Sequence, residues 1–215
     1  MDIELKKVGK RYIRRWVFKD ISYRIPQGSR IGVTGHNGSG KSTLLRILTG
    51  ALPVSQGEVE YRNSSGEVIA SDKVYSHFSF AAPYADLIEE MTIAEALKFH
   101  RSFREMKPGC DTGQFVQLLG SQFYAGMYLK SMSSGMKQRM RVALAIMTEC
   151  DILVLDEPTS NLDEAGKAWF QSMLNRVGDS TTMIIASNES EDMAVCREFI
   201  NIPDHLPSSS VSIKS

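Results

Sequence analysis

Gly35-His36-Asn37-Gly38-Ser39-Gly40-Lys41-Ser42 is the densest concentration of chemistry in the chain. It fits the spacing G-x-x-x-x-G-K-[ST] in full. Glycines let backbone N–H groups curl around phosphate oxygens with no Cβ in the way. A helix starting directly after the loop aims its positive end at the same oxygens. Lys41 adds a point charge for β- and γ-phosphates, and the Ser42 hydroxyl is placed to ligate Mg²⁺. Thr43 completes the expected nucleotide-binding set, and His36 is one of its variable positions.

Ile152-Leu153-Val154-Leu155-Asp156-Glu157 is the expected partner. An apolar strand ending in an acid places a carboxylate at the carboxyl edge of a parallel sheet, where ligands bind. Asp156 is the candidate Mg²⁺ acid, acting through the metal's water. Glu157 is the candidate general base that polarises an attacking water. Alone, an apolar run followed by two acids is weak evidence. Joined to the phosphate loop it identifies a P-loop NTPase, without saying which branch.

These residues need a sheet and helices to hold them. Arg30–Thr34 reads as a short buried strand running into the glycine loop, and Lys41–Leu48 as the helix that follows. Before them, Ile3–Val8 and Trp16–Ile25 read as strands, the second ending at a Pro26-Gln27-Gly28 turn. Val59–Tyr61 and Val68–Ile69 read as a hairpin about Asn63–Gly66, and Val74–Ala81 as a further strand. After Pro83 strand signals stop. Thr92 and Glu95 form a capping box ahead of Ile93, Ala96, Leu97 and Phe103. Gln114–Leu119 is a short helix, and Ser133 or Ser134 caps another that runs to about Glu149. Ile152–Leu155 is a strand buried on both faces. Ser160 and Asp163 suggest a helix start, and Thr181–Ala186 is the last core strand.

The expected organisation is one α/β domain with a RecA-like P-loop NTPase core and a mixed or parallel sheet. It carries an N-terminal antiparallel β subdomain and an inserted α-helical subdomain. The nucleotide-binding core covers 1–82 and 151–207, the helical subdomain 83–150, and a flexible Ser-rich tail 208–215.

Composition sets limits. The 25 basic and 25 acidic residues cancel, which argues against a nucleic-acid-coating protein. Lys6, Lys7, Lys10, Arg11, Arg14 and Arg15 crowd the N-terminus. They read either as a solvated hairpin edge or as a positive field drawing in a polyphosphate. Three scattered cysteines match no metal spacing and suggest reduced thiols packed as small hydrophobes, hence a cytosolic home. No run approaches the ~18 apolar residues of a membrane span, and the N-terminus is no signal peptide. The four histidines are unclustered.

The branch is decided by resemblance. Met132-Ser133-Ser134-Gly135-Met136-Lys137-Gln138-Arg139 resembles the ABC signature, Leu-Ser-Gly-Gly-Gln followed by a basic helix start, and lies shortly before the acidic strand. Asp156-Glu157-Pro158-Thr159-Ser160-Asn161-Leu162-Asp163 is very similar to the family's Walker B end and D-loop. The resemblance covers nearly the whole chain. It implies an ATP-binding and ATP-hydrolysing subunit of an ABC transporter, with ATP and Mg²⁺ as cofactors. It also implies a second ABC subunit whose Ser133 and Gly135 cap the γ-phosphate across a dimer interface. A separate transmembrane permease would rest on the helical insertion and hold the subunit on the inner face of the cell membrane. Tyr12 stands at the family's distance for the aromatic that stacks on adenine. It also reads as an ordinary strand aromatic, with Trp16 in reserve.

Two positions depart from the family pattern. The glutamine expected at the junction with the helical subdomain is replaced by Ala82-Pro83-Tyr84, none carrying an amide. The switch histidine is replaced by Asn188, which can donate a hydrogen bond to a γ-phosphate but cannot become cationic. Slow hydrolysis is one consequence. The alternative is a weakly or non-hydrolysing clamp, a regulatory subunit or another nucleotide-gated ABC protein.

Overall fold

The computed structural model describes residues 1–205 except Ser71. The expected tail and the end of the expected core, residues 206–215, lie outside the described residues. Two sheets organise the chain. β1 (Asp2–Tyr12), β2 (Arg15–Ile25) and β4 (Gln56–Arg62) form an antiparallel sheet in the order β2-β1-β4. β3 (Arg30–Thr34), β5 (Phe78–Ala81), β6 (Ile152–Asp156), β7 (Thr182–Ala186) and β8 (Glu198–Asn201) form a parallel sheet in the order β5-β6-β7-β3-β8.

The strand order positions the site. β7 lies between β3 and β6, so the carboxyl ends of all three are adjacent. The glycine loop leaves β3, the acid pair ends β6, and Ser187-Asn188 follow β7. This crevice beyond the carboxyl ends is where open α/β sheets bind ligands.

The parallel sheet is a wall between two apolar cores. On one side Ile152, Val154, Ile184 and Ala186 pack with α1 (Lys41–Leu48) and with Ile3, Leu5, Phe18 and Ile21 of the antiparallel sheet. On the other, Leu153, Leu155, Met183 and Ile185 pack with α2 (Ile93–Arg101), α3 (Thr112–Leu119), α4 (Ser134–Met147) and α5 (Glu164–Leu174). Successive strand residues point to opposite faces, and every residue of β6 and β7 is buried. That is why both read as bare apolar runs.

Helix starts follow side-chain caps. Thr92 and Glu95 form a complete capping box: Thr92 Oγ1 accepts from the Glu95 N–H and the Glu95 carboxylate accepts from the Thr92 N–H. Asp111 does the same with Gln114 at α3, and Ser133 caps α4. Thr92→Ala is expected to cost about 1 kcal/mol of stability, read as a lowered urea midpoint with an unchanged slope.

Three expectations change, and one strand is new. Val74–Ala81 is only half strand. Val74–His77 is a 3₁₀ turn, closed by Ser76 Oγ donating to the Lys73 carbonyl, and β5 begins at Phe78. The Val68–Ile69 arm is reduced to a single bridge, Arg62 to Val68, because Asn63 Oδ1 accepts from the Ser65 and Glu67 N–H groups and winds the chain into a tight turn. β8 had no sequence signal: at this sheet edge only Ile200 of its four residues is buried. The basic N-terminus is not one solvated cluster. Lys10 is buried and donates to the Pro53 carbonyl at 2.7 Å, while Lys6 pairs with Glu58 and Glu60.

The cysteines are all free thiols. Burial pushes Cys150 and Cys196 up to about 11, so both stay protonated and unreactive. No described helix is long and apolar enough to cross a membrane.

Candidate functional site

The loop 35–40 turns the chain from β3 into α1. Gly40 caps the helix with φ +110 and no side-chain cap, so the first-turn N–H groups have no side-chain acceptor at the cap and face the loop. A Cβ on Gly40 would lie 2.3 Å from Val17 Cγ1. The loop thus rests directly on β2, and only glycine fits there. Ser39 is buried, and its Oγ has no hydrogen-bond partner.

Lys41 is the centre of the cluster. It is buried, and its ammonium donates to the Gly35 carbonyl at 3.0 Å and to Asn188 Oδ1 at 2.9 Å. It also sits 3.3 Å from Glu157 Oε1. Asn188 Nδ2 donates to Glu157 Oε1 at 3.1 Å and to Asn37 Oδ1. The structure therefore brings together Asn37, Lys41, Glu157 and Asn188, residues up to 151 positions apart. His36 Nδ1 lies 2.9 Å from the Asn37 carbonyl.

Glu157 has φ +44, in the left-handed region that non-glycine residues seldom enter. Its surroundings hold it there. The Glu157 N–H donates to the Ala186 carbonyl at 2.7 Å. Gln138, fully buried, donates to the Glu157 and Pro158 carbonyls at 3.3 and 3.0 Å. Behind Asn188, Asp192 is buried and accepts from the Ser187 and Thr159 hydroxyls at 2.7 and 2.8 Å. Burial raises its carboxyl above the ordinary carboxylate range, and the two hydroxyl bonds offset part of that. Asp192 fixes the β7 exit and was missed from sequence, where nothing separates it from the acids beside it.

Asp156 is 1% exposed. Its Oδ2 accepts a 2.9 Å bond from the Tyr84 hydroxyl, while Oδ1 is buried without a partner. Burial, then the neighbouring Asp156 charge, raises the Tyr84 phenol. Tyr84 follows β5, at the junction where no side-chain amide is present. Ser42 is the second residue of α1 and Thr43 the third.

Ser133 and Gly135 lie elsewhere. They line a separate groove of about 310 Å³ with Gln122, Arg139, Asn161 and Asp163, and no residue of the glycine loop borders it. A Cβ on Gly135 would come within 2.7 Å of the Asn161 carbonyl, so this turn packs directly on the segment after the acid pair. Tyr12, at the end of β1, is half-exposed, with Lys10 Nζ 5.3 Å from its ring. Trp16 is taken up by Arg11 and Lys19, each about 5.5 Å from its ring.

Comparison with known proteins identifies the family and the fold. The family model for ABC transporters matches residues 18–160. The chain is 30% identical over 198 residues to an uncharacterised ABC transporter ATP-binding protein, YybJ, of Bacillus subtilis, spanning 89% of this chain and 87% of the relative. It is also 30% identical to the cytochrome c biogenesis ATP-binding export protein CcmA of Agrobacterium fabrum, spanning 88% and 90%. Among solved structures, a putative ABC transporter ATP-binding protein from Pyrococcus furiosus superposes with a TM-score of 0.79 at 21% identity, covering 96% of this chain and all of that one. A dimeric ATP-binding cassette in a post-hydrolysis state with ADP and phosphate gives 0.76 at 21% identity, covering 93% of each. At such identity the superpositions establish the fold; the family match and the relatives carry the rest. The chain belongs to the ABC transporter family, as an ATP-binding subunit.

Proposed function

We propose that this subunit hydrolyses ATP slowly in a composite site, half built from its own phosphate loop and half from the signature turn of a second ABC subunit. One observation carries the reading. Lys41, Glu157 and Asn188 converge on the loop, whereas Ser133 and Gly135 open onto a different groove of the same chain. The two grooves differ in what they supply: one has Lys41 and the proposed base, the other a serine hydroxyl at a helix N-terminus, suited to an anion.

The roles follow from chemistry. Lys41 binds the β- and γ-phosphates, the loop N–H groups hold the chain of oxygens, and Tyr12 stacks on the adenine. Glu157 orients the attacking water and takes its proton. Asn188 donates its amide to the γ-phosphate. Asp156 and Ser42 fit Mg²⁺: both offer hard oxygen donors, and Asp156 Oδ1 is a buried carboxylate oxygen with no protein partner. When bound, Mg²⁺ neutralises charge on the phosphates. The retained cradle and base favour slow turnover over a non-hydrolysing clamp.

A permease partner has a place to dock. A groove of about 830 Å³ runs between the edge strand β5 and helices α2 and α4, and includes Tyr75, Ile88 and Phe99. These three are exposed apolar side chains, of the kind that mark an interaction face. Such docking would hold the subunit at the inner membrane face.

The test is phosphate release and sedimentation of the purified chain with and without ATP and Mg²⁺. The expected result is slow Mg²⁺-dependent turnover with an ATP-dependent shift to dimer. A chain that binds no ATP, or stays monomeric while turning over at full rate, sinks the composite-site reading. Asn188→His is expected to raise turnover several-fold, because an imidazole donates the same bond and can carry charge. An unchanged or lower rate counts against that role.

A further inference from the structure

We propose that Tyr84 is a positioning residue for the metal-binding acid, holding Asp156 through a hydrogen bond to one of its carboxylate oxygens. The inference rests on the reading of Asp156 as a Mg²⁺ ligand given above.

Tyr84 is not a core residue; its ring is nearly half exposed. Yet its hydroxyl reaches inward to a carboxylate that is almost wholly buried, at 2.9 Å. That bond uses one oxygen of Asp156 and leaves the other, Oδ1, without a protein partner. A carboxylate anchored by one oxygen has a fixed rotamer, and its second oxygen then has a fixed direction. Metal-binding carboxylates are commonly held by such an outer hydrogen bond.

The ring is held in turn from the other side. The Arg46 guanidinium lies 4.5 Å from its centroid, and Phe80 packs against it with ring centroids 6.3 Å apart. Arg46 sits on α1 four residues after Ser42, a spacing that puts the two on one face of the helix. Tyr84 therefore bridges the two elements that supply the metal-binding oxygens: α1 through the Arg46 stack, and β6 through the Asp156 bond. It fixes the acid relative to the serine. A phenylalanine would keep the stacked ring and lose the hydroxyl, and with it the bond to Asp156.

The experiment is an electron paramagnetic resonance titration of Mn²⁺ into the protein–ADP complex, for the native chain and Tyr84→Phe. Binding of a fluorescent ATP analogue in EDTA is measured beside it. The expected result is about a tenfold loss of Mn²⁺ affinity in the variant, with metal-free nucleotide affinity and melting temperature unchanged. Equal Mn²⁺ affinity overturns the proposal. So does a parallel fall in metal-free nucleotide binding or melting temperature, because the tyrosine would then be a packing residue. If the native chain itself binds nucleotide but no Mn²⁺, the assignment of Asp156 as ligand fails, and this proposal with it.

Discussion

Glu157→Gln is expected to bind ATP as tightly as the native chain and to release phosphate at least a hundredfold more slowly. The substitution is nearly isosteric. Its amide oxygen can still face the Lys41 ammonium 3.3 Å away, and the left-handed backbone at this position is held by the Ala186 and Gln138 bonds rather than by the side chain. What is lost is the ability to take a proton from water, and a positioned general base contributes roughly 10²–10⁴ in rate. Steady-state phosphate release measures the loss. A variant within a few-fold of the native rate would move the base elsewhere, and Asp156, buried and bonded to Tyr84, would be the next acid to test.

Lys41→Ala is expected to weaken ATP binding by about a hundredfold. Hydrogen bonds to charged groups contribute about 1.5–3 kcal/mol each, and Lys41 serves two phosphates, so a net loss of about 3 kcal/mol corresponds to that factor. Fluorescence titration with an ATP analogue reads it directly. The same substitution removes the cation beside Glu157. Glu157 remains 29% exposed and keeps the Asn188 amide, so water takes up most of the difference. Only about 1 kcal/mol, or 2–4 °C in melting temperature, should follow. A melting temperature falling by tens of degrees with affinity intact would make Lys41 a structural cation instead.

Much of this was legible in the residues, for identifiable reasons. β3 and α1 appear at the boundaries read from sequence, because the short buried stretch Ile31–Val33 runs straight into glycines that force the chain out of the sheet. Helix starts were readable because capping is local chemistry: Thr92 was read outright, while the structure selects Ser133 over Ser134 and Asp163 over Ser160. Lys10 was misplaced among solvated charges because its partner, the Pro53 carbonyl, is 43 residues away and invisible to any local pattern. β8 escaped because an edge strand buries too little to leave a signature. Tyr84 was noted only for lacking an amide. That its hydroxyl reaches Asp156 depends on β5 and β6 lying side by side, a fact of strand order and not of spacing. The useful signal was an aromatic with a polar tip directly after a strand.

The meeting of Lys41, Asn188 and Glu157 bears on the order of events under the proposed reading. The ammonium already has a carboxylate and an amide oxygen against it. An incoming triphosphate must win that same cation, and in doing so it turns Glu157 loose. The lysine proposed to bind phosphate is thus also the cation that holds the proposed base. Under the proposed reading, a phosphate that draws the lysine away frees the Glu157 carboxylate to take a proton from the attacking water.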